Sequence, residues 1–236
     1  MLALLSPSKT LDFESDIHVD RATQPEFLDE AETLVEDLRD YDIDDLRELM
    51  DISEDLATLN YDRYQSFSTP FSTDNARPAI FAYQGDVYRD FQLDDYGDEE
   101  FDFLQDHVRI LSGLYGALRP FDLIQPYRLE MRTKLDNPVG DDLYEFWGDK
   151  ISDSIAAALD HQGDDIIVNL ASNEYYDSVD TDRINARVLD VKFKDLRDDG
   201  SYRTITFYLK RLRGTMTDWM VRNGVSNPEE QKGFDE

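Results

Sequence analysis

The sequence predicts one α/β domain spanning residues 1–236, in which helices flank a mixed sheet. Short apolar runs typical of strands alternate with segments whose apolar residues recur at helical spacing, without a strict β-α-β repeat. The chain has 236 residues, of which 40% are hydrophobic and 12% aromatic, so it can bury a sizeable core. No internal repeat or linker-like composition divides it into smaller units.

Apolar runs bounded by proline, glycine or polar residues predict the strands. The first run ends at Ser6-Pro7 and indicates a buried strand that leads into a loop. The predicted strands are Leu2–Leu5, Ala79–Tyr83, Ile166–Leu170, Val188–Phe193 and Tyr202–Phe207, with Asp198-Asp199-Gly200 as the hairpin turn between the last two.

Apolar residues spaced by three or four predict the helices. Ser53 is a predicted N-cap, after which Leu56 and Leu59 are expected to point into the core. The predicted helices are a segment with Phe27, Ala31, Leu34, Val35 and Leu38 inward; Ile43–Met50; the helix after Ser53; a stripe at Phe101, Leu104 and Val108; one long helix from Leu143 through Ala158, closed near Gly163; and Lys210–Arg222, stopped at Asn223-Gly224.

The charge is strongly acidic and unevenly distributed. The chain has 53 acidic and 24 basic residues, a net charge of −29, and its acids are 38 Asp against 15 Glu. Short carboxylates on every surface segment indicate adaptation to concentrated salt, where screening suppresses self-repulsion. Two basic islands interrupt this coat, Arg109–Lys134 with net +3 and Arg203–Arg222 with net +4. They either bind an anionic partner or pair with local carboxylates.

Several classes of site are excluded or disfavoured. The absence of cysteine excludes a disulfide framework, a thiolate metal site and a cysteine nucleophile. His18, His107 and His161 are isolated, and each is predicted to lie at the surface, so neither a metal site nor a cofactor is expected. No apolar run approaches the ~20 residues of a membrane span, and the N-terminus does not resemble a signal peptide, so we expect a cytoplasmic protein.

Five polar segments carry the candidate site residues. They are Ser6–Thr10, Phe81–Tyr88, Leu111–Met131, Asn169–Tyr175 and Tyr208–Gly214. Polar residues that follow neighbouring strands gather at the ligand crevice of open α/β sheets. Arginine forks bind phosphate bidentately and tyrosine rings stack on bases, which favours a nucleic-acid or phosphate ligand.

Local alternatives remain open for two of these segments. Ser6 and Lys9 have the spacing of a serine–lysine dyad, but the companion motifs are absent, and a loop that holds an anion is the favoured function. A simple turn capped by Ser6 and Thr10 explains the same residues. Glu130 beside Arg128 can equally form a buried ion pair.

These segments together resemble the YaaA family of peroxide stress resistance proteins. The resemblance rests on SPSKTLDF (6–13), GDVY (85–88), ILSGLYGALRPFDLIQPYRLEM (110–131), LYEFWGD (143–149), NLASNEY (169–175) and YLKRLRGTM (208–216), and runs collinearly along nearly the whole chain. It implies a cytoplasmic DNA-binding protein that limits iron-linked DNA damage during peroxide stress, with a helix-hairpin-helix-like element, a basic cleft and no assigned catalytic residue. The matching candidates for the cleft are Ser6, Lys9, Asp86, Tyr88, Ser112, Tyr115, Arg119, Tyr127, Arg128, Asn169, Ser172, Glu174, Lys210 and Arg213.

Two departures from the family pattern qualify this resemblance. The hairpin candidate, residues 43–64, is strongly acidic and lacks the glycine that lets backbone N–H groups meet phosphate, so we expect it to repel DNA at low salt. The chain ends at Gly233-Phe234-Asp235-Glu236, before a Gly-Tyr-aromatic segment of the family, and we expect an edge or pocket to be left less covered.

The primary hypothesis is a DNA-binding stress protein whose partner is duplex or branched DNA. The alternative is an enzyme acting on a nucleotide-like or phosphorylated ligand, which requires Lys9, Asp86, Ser112 and Glu174 to converge on one point. Direct iron chelation is disfavoured because the chain has neither cysteine nor paired histidines.

The salt-adaptation hypothesis predicts that the melting temperature rises steeply as KCl increases from about 0.1 M to about 3 M, because the Debye length falls from about 10 Å to below about 3 Å. Circular dichroism melts across this series provide the measurement. A flat dependence would contradict the hypothesis.

Overall fold

The structure is a computed structural model that describes residues 1–196, 200–204 and 208–234, and it confirms an α/β fold with a mixed sheet flanked by helices. The strands are β1 (Leu2–Leu5), β2 (Thr10–Leu11), β3 (Arg77–Pro78), β4 (Tyr83–Gln84), β5 (Val108–Ser112), β6 (Gly116–Leu118), β7 (Leu123–Ile124), β8 (Ile166–Asn169), β9 (Arg187–Asp190), β10 (Lys194–Leu196) and β11 (Tyr202–Thr204). The α-helices are α1 (Leu28–Arg39), α2 (Ile43–Met50), α3 (Glu54–Ser66), α4 (Ala79–Ala82), α5 (Asp98–His107), α6 (Leu143–Trp147), α7 (Lys150–Gln162), α8 (Asn173–Tyr176) and α9 (Leu209–Arg222). Leu93–Asp95 and Glu230–Gly233 form short 3₁₀ turns.

The strand β1 lies at the centre of a five-stranded sheet with the order β6-β5-β1-β8-β9. It runs parallel to β5 and β8, with Ala3 opposite Val108 on one side and Val168 on the other. The strand β9 is also parallel to β8, whereas β6 folds back antiparallel to β5. All four residues of β1 are fully buried, which explains its unbroken apolar sequence, since a strand covered on both faces has no solvent side.

The helices α2 and α3 pack against each other and form the helix-hairpin-helix-like element that the resemblance implied. A capping box at Asp42 starts α2, and the Ser53 hydroxyl accepts a hydrogen bond from the Leu56 N–H to start α3. Between them, Asp51 adopts the left-handed conformation with φ of 50°, which aspartate tolerates better than most residues. The hairpin turn therefore forms without the expected glycine.

The prediction that Leu56 and Leu59 of α3 point into the core was wrong. Leu56 and Leu59 are 37% and 44% exposed, and the buried residues are Ala57, Asn60 and Tyr64. The polar Asn60 is buried because its side-chain amide bonds the Leu56 carbonyl within the same helix. This hydrogen bond lets a polar residue occupy the core-facing side, which hydrophobic spacing does not predict.

The predicted strand over residues 79–83 was also wrong, because this run is the short helix α4 between β3 and β4. The N–H groups of Ala79 and Ile80 donate to the carbonyls of Asp122 and Pro120, each at 2.9 Å. These bonds to a distant segment take the place of ladder hydrogen bonds. A short apolar run fits a strand or a buried helix equally well, so the sequence pattern could not separate the two.

Other element boundaries also differ from the prediction. The long helix after Leu143 is divided into α6 and α7 at Gly148, which has φ of 46°. Val108 begins β5 instead of ending the preceding helix, and β10 was not predicted. Residues 198, 199 and 205–207, which carry most of the predicted hairpin turn and strand end, lie outside the described residues.

Two glycines allow backbone segments to approach more closely than any side chain permits. A Cβ added at Gly113 would lie 2.4 Å from the Leu129 carbonyl oxygen, and one at Gly214 would lie 1.7 Å from that of Val87. The first contact seats the turn after β5 against residues 127–130. The second presses the N-terminal half of α9 onto the turn at residues 85–88. No helix of the described residues is long and apolar enough to cross a membrane.

Replacing Gly214 by alanine is expected to destabilise the protein by about 2 kcal/mol or more, because the new methyl group has no space beside Val87. Alanine inside a helix normally stabilises by about 1 kcal/mol relative to glycine, so the expected sign is reversed. The matched control is Gly233→Ala, whose added Cβ would meet Trp219 at 3.6 Å, an ordinary contact. Urea denaturation measures both variants; a neutral or stabilising Gly214→Ala would contradict the close approach.

Candidate functional site

The carboxyl ends of β1, β5 and β8 lie at the same edge of the sheet because the three strands are parallel. This edge brings Ser6, Ser112 and the segment from Leu170 to Glu174 together, as the sequence predicted. The Ser6 hydroxyl accepts a hydrogen bond from the Ser172 N–H at 2.8 Å, and the two hydroxyls lie 3.3 Å apart. The loop after β1 is thereby tied to the loop after β8.

A buried hydroxyl network forms the floor beneath this edge. The Tyr127 hydroxyl lies 2.6 Å from that of Tyr83 and 2.7 Å from the Ser112 hydroxyl. The Ser112 oxygen also accepts the N–H groups of Leu114 and Tyr115. Burial raises the pKa of Tyr127 to about 12, so the phenol is neutral at physiological pH.

Two further predicted tyrosines belong to the same floor. Tyr88 donates its hydroxyl proton to the Ser6 carbonyl at 2.7 Å and stacks on Tyr83 with ring centroids 5.3 Å apart. Tyr115 meets Tyr127 edge-on at 5.2 Å and accepts a hydrogen bond from the Gln125 N–H. Because Tyr88, Tyr115 and Tyr127 are at most 6% exposed, their rings support the site from below and do not present faces for stacking on bases.

Above the floor, one carboxylate contacts three cations. The Glu130 side chain lies 2.7 Å from Lys9 Nζ, 3.3 Å from Arg128 Nη2 and 3.5 Å from Arg132 Nη2. Glu130 is only 9% exposed, so these contacts form in a partly desolvated setting. The ion pair of Glu130 with Arg128, left open by the sequence, is therefore present, but it is part of a larger cluster.

A fourth cation, Arg63 of α3, lies close enough to Arg128 for the two positive charges to repel each other. Burial and the nearby charge of Arg128 both lower the pKa of the Arg63 guanidinium. Arg128 Nε is buried and has no hydrogen-bond partner within the part of the chain that the structure describes. We call Lys9, Arg63, Arg128, Glu130 and Arg132 the Glu130 cluster. Including Glu174, which accepts the Arg132 N–H at 3.4 Å, it carries two positive charges in excess.

Two members of the Glu130 cluster, Glu130 and Arg132, line a cavity of about 660 Å³ between α2 and the segment after β7. Glu130, Arg132, Thr133 and Lys134 form one wall. The opposite wall is formed by residues from the helix-hairpin-helix-like element and the turn before it, which are Tyr41, Asp45, Glu48, Leu49, Met50 and Asp51. Glu130 and Arg132 are therefore accessible to a ligand from this side, whereas Lys9, Arg63 and Arg128 are not among the residues that line the cavity.

A second pair of cations, Lys210 and Arg213, lies on α9. The contact of Gly214 with Val87 places this helix beside the 85–88 turn, and Arg211 reinforces the contact by bonding both oxygens of Asp90. Lys210 is exposed. Burial lowers the pKa of the half-buried Arg213 guanidinium, which has no hydrogen bond or ion pair with any described residue.

Arg119 occupies a structural position instead of the surface cleft. Its guanidinium bonds the buried Asp122 through Nε at 3.1 Å and Nη2 at 2.8 Å, and its N–H donates to the same carboxylate. Thr23 completes the set of donors to Asp122. Arg109 is likewise directed at the backbone carbonyls that end α5. Arg119 thus pairs with a local carboxylate, as one alternative for the first basic island predicted, whereas Arg109 bonds backbone carbonyls instead.

The remaining predicted residues are dispersed around the edge. The Asn169 side-chain amide donates to Asp190 and its oxygen accepts the Ala171 N–H, so it shapes the loop after β8. Asp86 is exposed on the 85–88 turn. Glu174 is linked to Arg132 as described above. Arg63, Arg132 and Lys134 were not among the predicted site residues; a lone base in the acidic helix α3 offers no sequence signal for its position beside Arg128.

The histidines form no metal centre in the structure. Among residues 1–196, 200–204 and 208–234, no group of three or more His, Asp or Glu side chains is placed to hold a metal ion. The surface prediction was wrong for His107, which is half-buried, stacks on Phe103 at 4.0 Å and bonds the Met1 carbonyl through Nδ1. Burial lowers its pKa.

The fold and site define an α/β domain whose sheet edge carries a concave cationic cluster beside a helix-hairpin-helix-like element. A sequence model of the family described as "Peroxide stress protein YaaA" matches residues 1–236, the whole chain. The chain therefore belongs to the YaaA family of peroxide stress proteins, and this membership gives it a role in peroxide stress resistance.

Replacing Arg119 by alanine is expected to destabilise the fold by about 1–3 kcal/mol, because buried Asp122 loses two charged donors while Arg119 itself is partly exposed. Arg47→Ala is the matched control, since Arg47 and Asp44 also pair three residues apart but both are exposed, and it should cost less than about 0.5 kcal/mol. Urea denaturation distinguishes them; equal losses would show that the Asp122 pair contributes no more than a surface pair.

Proposed function

We propose that this protein acts in the cytoplasm by binding duplex or branched DNA through the Glu130 cluster and the α9 pair, and that this binding protects DNA from iron-linked damage during peroxide stress. The observation that carries the proposal is the excess positive charge around Glu130. Three cations, Lys9, Arg128 and Arg132, contact the partly buried Glu130 carboxylate, a fourth, Arg63, lies near Arg128, and Arg128 Nε is a buried donor without a partner among the described residues.

The arrangement suits a phosphate group for a physical reason. A guanidinium desolvated near another cation is destabilised, as the lowered pKa of Arg63 indicates. A phosphate oxygen supplies both the missing negative charge and the missing acceptor. Glu130 already provides a carboxylate at the centre, and it leaves the outward-facing donors of Lys9 and Arg132 free to reach a ligand, since these side chains are 52% and 69% exposed.

The two cationic groups are linked through the 85–88 turn. A Cβ at Gly85 would lie 3.0 Å from the Ser8 hydroxyl, so the loop that carries Lys9 lies against this turn. Gly214 of α9 contacts the same turn at Val87. Lys9 and Arg213 therefore stand on segments that pack on the same four residues, an extended arrangement that suits a linear chain of phosphates.

The acidic coat restricts binding to this surface. Residues 11–64 carry a net charge of −15 and repel a polyanion, whereas the Glu130 cluster and the α9 pair present exposed cations, namely Lys9, Arg132 and Lys210. Salt weakens both the repulsion and the attraction. Contacts from desolvated arginines such as Arg128 and Arg213 depend less on bulk screening than those from exposed lysines.

The enzyme alternative is not favoured by the contacts. Lys9 bonds Glu130, Ser112 bonds Tyr127, and Glu174 accepts the N–H of Arg132, so these groups do not share one hydrogen-bonding point. Ser112 is fully buried, with its oxygen occupied by two backbone N–H groups as well. A serine in this position stabilises the turn after β5 and is poorly placed to attack a ligand.

DNA binding is expected to weaken about tenfold or more in Arg128→Ala/Arg213→Ala, and the slope of log K against log [KCl] should fall by about 2, because two phosphate contacts are lost. Filter binding of duplex and branched DNA at several KCl concentrations provides the measurement. The charge-matched control is Arg183→Ala/Lys232→Ala, in which both cations pair with exposed carboxylates elsewhere. Absence of binding at every salt concentration, or equal loss in the two double variants, would refute the proposal.

A further inference from the structure

The cavity between α2 and the segment after β7 has an excess of negative charge. Its volume is about 660 Å³, and its charged lining residues are Asp45, Glu48, Asp51 and Glu130 against Arg132 and Lys134. Glu130 and Arg132 pair with each other at 3.5 Å. The other three carboxylates form no ion pair with any residue that the structure describes. The cavity therefore lacks two positive charges.

The pKa of Tyr41 indicates the electrostatic potential on one side of this cavity. Burial and the nearby carboxylates of Asp136, Asp37 and Asp45 raise the pKa of this half-buried phenol. Asp45 lines the cavity together with Tyr41, whereas Asp37 and Asp136 contribute from outside it. The negative potential thus extends beyond the lining residues, and it attracts a cation and repels an anion.

A buried hydroxyl on the cavity wall has no protein partner. Thr133 is only 6% exposed and lines the cavity beside Glu130 and Arg132. Its N–H donates to the Glu130 carbonyl, but its hydroxyl, which is not fully enclosed, forms no hydrogen bond with any described residue. A buried polar group without a partner is costly, so this hydroxyl is a vacant acceptor for a donor that enters the cavity.

The acidic groups suit an extended cation better than a metal ion. Across the described ranges 1–196, 200–204 and 208–234, no group of three or more Asp, Glu or His side chains is placed to hold a metal. Leu49 and Met50, both half-buried, add apolar surface to the same cavity. An aliphatic chain covers apolar surface while its ammonium groups reach carboxylates and hydroxyls.

We propose that this cavity is a binding site for a linear aliphatic diamine of the polyamine class. The two ammonium groups supply the two missing positive charges, and one of them donates to the vacant Thr133 hydroxyl. The methylene chain lies against Leu49 and Met50. This site is separate from the proposed DNA binding, so either can fail without the other.

The test is isothermal titration calorimetry with 1,4-diaminobutane, at the lowest KCl concentration at which the protein stays folded. One diamine is expected to bind per chain, at least about tenfold more tightly than butylamine, which carries one charge. The affinity should fall as KCl increases. Equal binding of butylamine, a stoichiometric Mg²⁺ site in place of the diamine site, or no saturable heat would overturn the proposal.

Carboxylate variants test the acidic wall. Glu48→Gln/Asp51→Asn is expected to weaken diamine binding about tenfold or more, because two unpaired negative charges are lost. Asparagine also tolerates the left-handed conformation of Asp51, so the turn is retained. The matched control is Asp62→Asn/Glu99→Gln, two exposed carboxylates that do not line this cavity, and it should change the affinity little. Equal loss in both double variants would show only a general charge effect and refute the site.

Thr133→Val tests the vacant hydroxyl separately from the charge. The affinity for the diamine is expected to fall about three- to tenfold, because one hydrogen bond to an ammonium group is lost. The melting temperature should not fall, since the hydroxyl has no protein partner to lose. Unchanged diamine affinity in a folded Thr133→Val variant would contradict the proposed contact.

Discussion

The parallel alignment of β1 between β5 and β8 is the constraint on which the site depends. It brings three chain segments, far apart in sequence, to one edge of the sheet, and the bond from the Ser172 N–H to the Ser6 hydroxyl fixes two of them there. The close approach of Gly113 to Leu129 then folds the segment after β5 back over the same edge. Because residue 113 is a glycine, the chain around Leu129 can pack directly against it, and this close packing positions the neighbouring Glu130 and the cations that contact it.

Much of the fold could be predicted from local patterns, because the strongest signals coincide with the elements that form the core. Leu2–Leu5, Ile43–Met50 and the cap at Ser53 occur where periodicity and capping chemistry indicate. One error lies where a distant partner decides the local structure. The run at 79–83 becomes helical because its N–H groups bond carbonyls near residue 120, and no property of those five residues encodes that partner.

The sequence predicted that several polar segments meet at one sheet edge, but it did not predict which partners each of their side chains bonds. Sequence alone treats all arginines of the first basic island as equivalent, yet Arg119 serves the buried Asp122 and Arg128 faces the cluster. The tyrosines predicted as possible stacking surfaces, Tyr115 and Tyr127, are buried, and their hydroxyls bond the Gln125 backbone and the Tyr83 and Ser112 hydroxyls. The sequence could not predict that Arg63 belongs to the cluster, because only the folded structure brings α3 close to Arg128.

The turn between α2 and α3 keeps the backbone geometry of a glycine turn but carries a negative charge. Asp51 adopts the left-handed conformation at φ 50°, and the preceding and following helices keep their caps, so the turn is built as a glycine would build it. Its carboxylate nevertheless gives the turn a negative charge, and Asp45 and Glu48 extend that charge along the same wall of the cavity. These carboxylates line the same cavity as Arg132 and Lys134, so the turn presents negative charge where a glycine turn would present only backbone N–H groups.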